Sequence, residues 1–221
     1  MHFTRFEFNT ARRGARSLLA SPQKLHAAVR AAFPATAGTG SDGRLLWRID
    51  QRPHQVHLYL VSPQKPDLTH LVEQAGWPTT HTWDTRDYTP LLAKLNTGDV
   101  WAFRLKANPV GNRRKTSDST RSQRFGHVTV DQQTQWLLHR APGNGFTIPA
   151  GAHKEPDVAV RGREVLKFTR NHATVTLATA VFEGTLEIND VELFRHSLIN
   201  GIGPAKGYGC GLLTLAPARR G

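Results

Sequence analysis

The stretch that decides how the chain is organised is GIGPAKGYGCG, residues 201–211, which runs into the apolar segment LLTL at 212–215. Its five glycines and its proline exclude a regular helix. Upstream, residues 189–200 carry apolar side chains at helical spacing, and Asp190 is placed to cap that helix. Downstream, residues 210–215 have the composition of a short buried strand. In dinucleotide-binding and P-loop fingerprints the glycines lie between a strand and the helix that follows it, so this order of elements matches neither.

Two interpretations of this glycine loop (residues 201–211) remain open at the level of sequence. A tight connection between a helix and a strand needs small residues so that the neighbouring elements can pack closely. Alternatively, consecutive backbone N–H groups in such a loop form a concave surface that suits phosphate. In the second interpretation Gly203 and Gly207 let a ligand approach the backbone, and Lys206 adds a mobile positive charge.

Outward from this loop, the pattern predicts an α+β fold made of two tandem ferredoxin-like (RRM-like, βαββαβ) domains. In the first half, alternating apolar residues predict a strand near Phe3–Phe8, a helix opened by Ser21 and Pro22, and a second helix at 67–75. The remaining predicted strands of that half lie at 45–49, 56–61 and 80–88. In the second half, strands are predicted at 100–107, 158–169, 175–186 and 210–215, with helices at 132–140 and 189–200. The predicted domains are residues 1–90 and 97–221.

Composition favours a polyanionic partner. The chain has 29 Lys and Arg against 17 Asp and Glu, a formal net charge of +12. Such an imbalance in a globular composition is typical of proteins that bind nucleic acid, and less often of proteins that bind anionic membranes. No apolar run is long enough to span a bilayer, and the N-terminus does not resemble a signal peptide. We therefore expect no membrane association.

The single cysteine, Cys210, excludes an internal disulfide and a zinc cluster of cysteines. We expect it to be a small buried residue in a protein of the reducing cytoplasm. The eleven histidines include no H-x-x-x-H pair, and they lie near no cluster of carboxylates. The sequence therefore predicts neither a metal site nor a cofactor.

Two basic segments are candidates for contact with nucleic acid. Residues 111–124 are polar and basic and include Arg113, Arg114 and Lys115. Because they cannot bury enough apolar surface to fold alone, they are either a solvated loop or an arm that becomes ordered on RNA phosphates. The second segment, on the strand pair predicted at 158–186, contains Arg161, Arg163 and Lys167. By strand parity these three side chains share one face, which could follow a nucleic-acid groove.

His26 is the candidate for chemistry. It lies in the first turns of the predicted helix, where the free N–H groups and the dipole favour phosphate. Gln23 precedes it by three residues and Arg30 follows by four, so both share its edge of the helix, and Lys24 lies in the same turn. Taken alone, a single histidine on a helix is more often structural or simply exposed.

Four segments, taken together and in order, resemble the CasE family, the repeat-processing endoribonucleases of the type I-E CRISPR Cascade complex within the RAMP superfamily. They are SPQKLH at 21–26, FRLKANP at 103–109, VFEGTL at 181–186 and the glycine loop. The resemblance implies tandem ferredoxin-like domains and His26 as the catalytic residue. It also implies metal-independent cleavage of CRISPR repeat hairpin RNA to mature crRNA, in which the 2′-hydroxyl attacks the adjacent phosphorus and leaves a 2′,3′-cyclic phosphate and a 5′-hydroxyl.

The same resemblance implies that the RNA, and other Cascade subunits, are the partners of the chain. The expected RNA-binding residues are Gln23, Lys24, Arg30, Lys106, Arg113, Arg114, Lys115, Arg161, Arg163, Lys167, Gly203, Lys206 and Gly207. The chain departs from the family at Gln23, where some members have a tyrosine that is thought to assist the histidine. Tyr208, Lys24, Arg30 and the basic segment at 111–124, once ordered, are candidates to replace it. The alternative function is a RAMP-type subunit that holds guide RNA without cutting it. His26 distinguishes the two functions, because a subunit that only binds RNA would not need it.

Overall fold

The computed structural model describes residues 1–34, 43–77, 79, 83–114, 122–151, 154–170 and 173–218. The first half forms a four-stranded antiparallel sheet in the order β2-β3-β1-β4, in which β1 pairs with both β3 and β4. Its elements are β1 (His2–Phe8), α1 (Arg13–Leu19), α2 (Pro22–Arg30), β2 (Leu46–Arg52), β3 (Gln55–Ser62), α3 (Thr69–Ala75) and β4 (Trp83–Asp87). This strand order is the one expected for a ferredoxin-like βαββαβ unit.

The second half repeats the arrangement. β5 and β11 pair with each other, β10 pairs with β5, and β9 and β8 pair with different parts of the outer edge of β10. The elements are α4 (Thr89–Lys94), β5 (Val100–Ala107), β6 (Val110–Arg114), β7 (Ser122–Gly126), α5 (Val130–Arg140), β8 (Phe146–Thr147), β9 (Val158–Arg170), β10 (Ala173–Ile188), α6 (Val191–Asn200) and β11 (Leu213–Pro217). With β5, β9, β10 and β11 as its four strands, this half is also ferredoxin-like, so the predicted fold class is confirmed.

Four details differ from the sequence-based expectations. Residues 13–19, for which no element was predicted, form a helix, α1, whose Ala15 and Leu18 are buried. The segment predicted to be a loop that does not fold alone contains β6 and β7, which pair as a hairpin. A further helix, α4, occupies the predicted linker at 89–96. The last strand begins at Leu213 rather than at 210, because residues 206–208 form a short 3₁₀ helix and the chain continues irregularly to 212.

The strand parity predicted for β9 is wrong. Arg161 pairs with Val181, but Glu164 pairs with Thr179. A step of three residues along β9 therefore matches a step of only two along β10. Such a bulge inserts one extra residue and reverses the alternation of side chains beyond it. Gly162, with a φ of 50°, provides the backbone conformation at this point. Arg161 consequently faces the same side as Glu164, whereas Arg163 and Lys167 lie on the opposite face.

The two halves pack against each other through the first sheet. One face of that sheet covers α1, α2 and α3 in a cluster that includes Phe6, Trp47 and Leu58. The other face contributes Leu46 and Val61 to the core of the second half. The hydrophobic core therefore crosses between the halves, and the division into domains 1–90 and 97–221 stays a prediction. Among the described residues, no helix has the length and apolar character needed to cross a membrane.

Candidate active site

His26 is held in place by the start of α2. Ser21 caps the helix, with its Oγ accepting a hydrogen bond from the backbone N–H of Lys24 at 3.3 Å, and Pro22 is the first helical residue, as the sequence predicted. Leu25 and Val29 are buried against the first sheet and fix the rotation of the helix. His26 follows Leu25 and is half-buried on the side of α2 that faces the glycine loop.

Between α2 and the glycine loop lies a cleft of about 780 Å³, the histidine cleft. A Cβ atom placed on Gly207 would lie 3.5 Å from His26 Cε1, so the loop backbone runs beside the imidazole. The ring centroids of His26 and Tyr208 lie 6.3 Å apart. The Tyr208 ring also contacts the ring of Phe168 in β9, with 4.8 Å between their centroids. The lining residues are Gln23, His26, Ala27, Arg30, Arg44, Gly203, Pro204, Ala205, Lys206, Gly207 and Tyr208.

The histidine cleft is cationic. Arg30, Arg44 and Lys206 line it, and among the residues that the structure describes its lining contains no aspartate or glutamate. Burial lowers the pKa of Lys206, and the nearby charges of Arg44 and Arg140 lower it further. A site whose cations are crowded together in this way is stabilised by an anion, because the anion relieves both the desolvation and the mutual repulsion.

Some glycines of the loop serve close packing and others line the histidine cleft, where contact with phosphate stays a prediction. Gly201 lies against Leu46 and Gly209 against the Trp47 ring, where an added Cβ would come within 2.7 Å of each side chain. These positions serve close packing. Gly203 and Gly207 instead line the cleft. Cys210, within the loop, is fully buried, and burial raises the pKa of its thiol to about 12, as expected for a small core residue.

A second cleft of about 650 Å³, the ion-pair cleft, lies on the other side of Tyr208. Its apolar wall includes Leu25, Trp47 and Val181. Lys106 Nζ lies 3.7 Å from Glu164 Oε2, and Arg104 Nε lies 3.2 Å from Asp50 Oδ1. Arg104 also pairs with Glu183, which lies 3.6 Å from Arg161 Nε. The cations on this side are therefore already matched by carboxylates.

The structure brings five of the predicted RNA-binding residues into the histidine cleft with His26: Gln23, Arg30, Gly203, Lys206 and Gly207. Lys24 points elsewhere, with Nζ donating to Ser17 Oγ at 3.2 Å, and Lys106 belongs to the ion-pair cleft. Arg161, Arg163 and Lys167 are exposed on β9, outside the cleft. The backbone of Arg113 and Arg114 lies in β6, and Lys115 lies outside the described residues.

Sequence reasoning missed Arg44, which lines the histidine cleft but belongs to neither α2 nor the glycine loop. It lies just before β2, where its backbone N–H donates to the carbonyl of Ile199 at the end of α6. No local motif marks this position, because the contact joins residues that are far apart in sequence. In the part of the chain that the structure describes, no group of three or more His, Cys, Asp or Glu side chains is placed to hold a metal ion.

Comparison with known proteins gives a consistent result. Residues 1–217 match the family described as CRISPR associated protein. The chain is 29% identical to the CRISPR-associated endoribonuclease Cse3 of Thermus thermophilus, over 98% of this chain and all of that protein. It is 30% identical to the CRISPR system Cascade subunit CasE of Escherichia coli, over 78% of this chain and 88% of that protein. The structure of Thermus thermophilus Cse3 bound to an RNA representing a pre-cleavage complex superimposes with a TM-score of 0.79 and 29% identity, covering 98% of each chain. The chain therefore belongs to the CRISPR-associated protein family that includes Cse3 and CasE.

Proposed function

We propose that this chain is an endoribonuclease that cuts CRISPR repeat hairpin RNA in the histidine cleft, without a metal ion, and releases mature crRNA. The observation that supports the proposal is the placement of His26 in a cleft lined by three cations, Arg30, Arg44 and Lys206, with no carboxylate among the described lining residues. The Cse3 and CasE names of its relatives support the same class of reaction. The proposal includes action beside other Cascade subunits in the cytoplasm, a compartment that suits the free, buried Cys210.

His26 is the proton-transfer group in this proposal. The 2′-oxygen of the nucleotide before the cut attacks the adjacent phosphorus and forms a P–O2′ bond, while the P–O5′ bond to the next nucleotide breaks. One proton must leave the 2′-hydroxyl, and one must reach the 5′-oxygen. A positioned imidazole serves either step and contributes roughly 10²- to 10⁴-fold to the rate. The products are a 2′,3′-cyclic phosphate and a 5′-hydroxyl.

Charge stabilisation is the task of the cations in the cleft. As the phosphorus becomes pentacoordinate, negative charge builds on its non-bridging oxygens, and preorganised donors aimed at that charge lower the barrier. Lys206 is best placed for this role, because its ammonium group is partly desolvated and already repelled by Arg44 and Arg140. Arg30 and Arg44 are placed to hold the flanking phosphates and so align the 2′-oxygen with the scissile bond.

Gln23 cannot take over proton transfer, since an amide does not titrate in the useful pH range. Of the groups considered as replacements for a tyrosine at this position, Arg30 and Tyr208 line the histidine cleft, whereas the side chain of Lys24 is bonded to Ser17. We propose that Tyr208 orients the nucleotide beside the cut. The exposed Arg163 and Lys167 of β9 then contact the phosphates of the stem, whose A-form base edges are inaccessible in the deep major groove.

The test is single-turnover cleavage of the cognate repeat hairpin in excess EDTA, with a 2′-deoxy substitution at the scissile nucleotide as the chemical control. We expect wild type to cut only the ribose substrate and His26→Ala to lose about 10²- to 10⁴-fold in rate with unchanged affinity. His70→Gln is the matched control, because His70 lies on the neighbouring α3 and its Nε2 bonds the carbonyl of Ala28 at 2.9 Å. Tight binding without cleavage by wild type would instead favour a guide-RNA-binding subunit.

A second substrate separates the two roles of His26. When sulfur replaces the 5′-bridging oxygen, the leaving thiolate needs no proton. If His26 is the general acid, His26→Ala should cut this substrate nearly as fast as wild type does. If His26 is the general base, the defect of the variant should persist.

A further inference from the structure

Arg48, in the middle of β2, is a charged residue in the interior of the molecule, with a side chain only 2% exposed. All five of its guanidinium N–H groups have acceptors. Nε and Nη2 bond the two carboxylate oxygens of Asp50 at 2.7 and 2.9 Å. Nη1 bonds the carbonyls of Arg104 and Leu212 at 2.7 and 3.1 Å, and Nη2 also bonds Thr214 Oγ1 at 2.9 Å. A lysine could not reproduce this planar, five-donor arrangement.

The acceptors other than Asp50 all belong to the second half of the chain. Leu212 directly follows the glycine loop, and Thr214 of β11 pairs with Arg104 of β5. The two residues before Arg48 also touch the loop, Leu46 at Gly201 and the Trp47 ring at Gly209. Three consecutive residues of one strand therefore contact the start, the middle and the exit of the glycine loop.

We propose that Arg48 is a positioning residue for the histidine cleft, which sets the separation between His26 and the Gly207–Tyr208 segment. The inference rests on the proposed function and deepens it. Arg48 does not line the histidine cleft, so it acts through the loop and not on RNA.

The reason lies in how the two sides of the cleft are anchored. His26 belongs to α2, whose Leu25 and Val29 lie in the same buried cluster as Trp47 of β2. Gly207 and Tyr208 belong to a loop whose exit is held by Arg48. The strand β2 is therefore the common support of both sides. Apolar contacts alone tolerate small shifts, whereas the directional bonds from one rigid guanidinium to the Leu212 carbonyl and Thr214 Oγ1 define one position for the loop exit.

The experiment compares Arg48→Lys and Thr214→Val with wild type. Arg48→Lys keeps a cation beside Asp50 but loses the fork, and we expect its single-turnover cleavage rate to fall about 100-fold, the effect of a displacement near 1 Å. Thr214→Val removes one acceptor in a nearly isosteric change and should lower the rate less, about tenfold, which corresponds to about 1.5 kcal/mol, the lower end of the range for a hydrogen bond to a charged group. RNA affinity should stay at the wild-type value in both variants.

Two controls separate positioning from general destabilisation. Val72→Ala lowers stability from α3, in the core of the first half, and should leave the cleavage rate of the folded protein unchanged. The His26 ring protons, assigned by their loss in His26→Ala, report the Tyr208 ring 6.3 Å away. Their NMR shifts should move in Arg48→Lys and Thr214→Val but stay in place in Val72→Ala.

The inference is overturned if folded Arg48→Lys cuts at the wild-type rate with unmoved His26 shifts, or if its defect matches that of Val72→Ala at equal stability. The shift measurement needs no cleavage. A wild type that binds RNA without cutting it would therefore end the proposed function, while the His26 shifts would still decide whether Arg48 positions the loop.

Discussion

Tyr208 separates two clefts of similar size that differ in how their charges are balanced. The histidine cleft contains Arg30, Arg44 and Lys206, and the part of its lining that the structure describes holds no carboxylate. In the ion-pair cleft, Arg104 and Lys106 are matched by Asp50, Glu183 and Glu164. Both clefts carry cations, so a count of basic residues would rate them alike. Only the pairing of those cations distinguishes a surface ready for phosphate from one that is already neutralised.

The difference also has a mechanical side. On the ion-pair side, Trp47 and Arg48 bind the glycine loop to the first sheet through buried contacts. On the histidine side, a Cβ atom added to Gly207 would lie at van der Waals distance from His26, and both residues line the open cleft. One side of the glycine loop is therefore fixed by buried contacts, and the other side lines the histidine cleft. The predictions below test this division.

The largest effect is expected at Lys206. Replacing it by methionine keeps the apolar stem and removes the ammonium group, and we expect cleavage to slow by about 10²- to 10³-fold, as for loss of one donor to a developing charge. Stability should not fall, since the charged form is disfavoured in the folded state by burial and by Arg44 and Arg140. Thermal unfolding and single-turnover rates, measured on the same samples, check both statements.

The sign of the pH dependence follows from the lowered pKa of Lys206. Below its folded-state pKa the lysine is charged in both states, so its full cost to folding is present. Above the ordinary lysine range it is neutral in both states, and the cost is gone. Lys206→Met should therefore be more stable than wild type by the largest margin near neutral pH, with the margin shrinking as pH rises. A margin that grew with pH would contradict this account.

The two edges of the loop should respond differently to an added methyl group. Gly209 has a φ of 78°, and a Cβ atom added there would lie 2.7 Å from the Trp47 ring. Gly209→Ala therefore combines a left-handed backbone with a clash and should cost roughly 2 kcal/mol of unfolding free energy. Gly207→Ala places its Cβ 3.5 Å from His26 Cε1, an ordinary contact. It should leave stability nearly unchanged and slow cleavage by crowding the imidazole. Denaturant unfolding and cleavage assays separate the two outcomes.

Much of this architecture could be predicted from the sequence. Ser21 and Pro22 located the start of α2, Asp190 capped α6 as expected, and β5 was predicted with its observed ends. These signals are local: a cap, a proline or an alternation within one element. The position of His26 on α2 and of the glycine loop beyond α6 followed from the same kind of signal.

What the sequence did not reveal depends on contacts between distant residues. The bulge opposite Ala180 moved Arg161 away from Arg163 and Lys167, and alternation within β9 alone could not predict it. The ion pair between Lys106, a predicted RNA-binding residue, and Glu164 joins two strands that are distant in sequence, so no local pattern could predict it. Arg44 lies at the cleft because its backbone N–H bonds the end of α6. Helix α1 was missed because Arg12, which precedes it, and Arg16 within it bond backbone carbonyls, contacts that a local pattern does not reveal.

A smaller effect separates the cations of the two clefts. Arg44→Ala should weaken RNA binding about tenfold at moderate salt and reduce the salt slope by about one, as expected for loss of one phosphate contact. Lys106→Ala removes the same charge from the ion-pair cleft and should change neither the affinity nor the slope beyond error, since Glu164 already neutralises it. Equal losses from the two variants would show that RNA spans both clefts, contrary to the division drawn here.

The smallest effect is also the most direct attempt to convert one cleft into the other. Glu164→Gln removes the carboxylate beside Lys106 while keeping the size of the side chain, so the freed ammonium group should attract the RNA backbone. Glu164 is 53% exposed, so solvent and salt screen the change. We therefore expect affinity to rise only about twofold at low salt, with no gain at high salt and no change in cleavage rate. A gain in the cleavage rate itself would mean that the ion-pair cleft takes part in the chemistry. An unchanged affinity at low salt would mean that bound RNA does not approach the Lys106 side of Tyr208 closely enough to feel its charge.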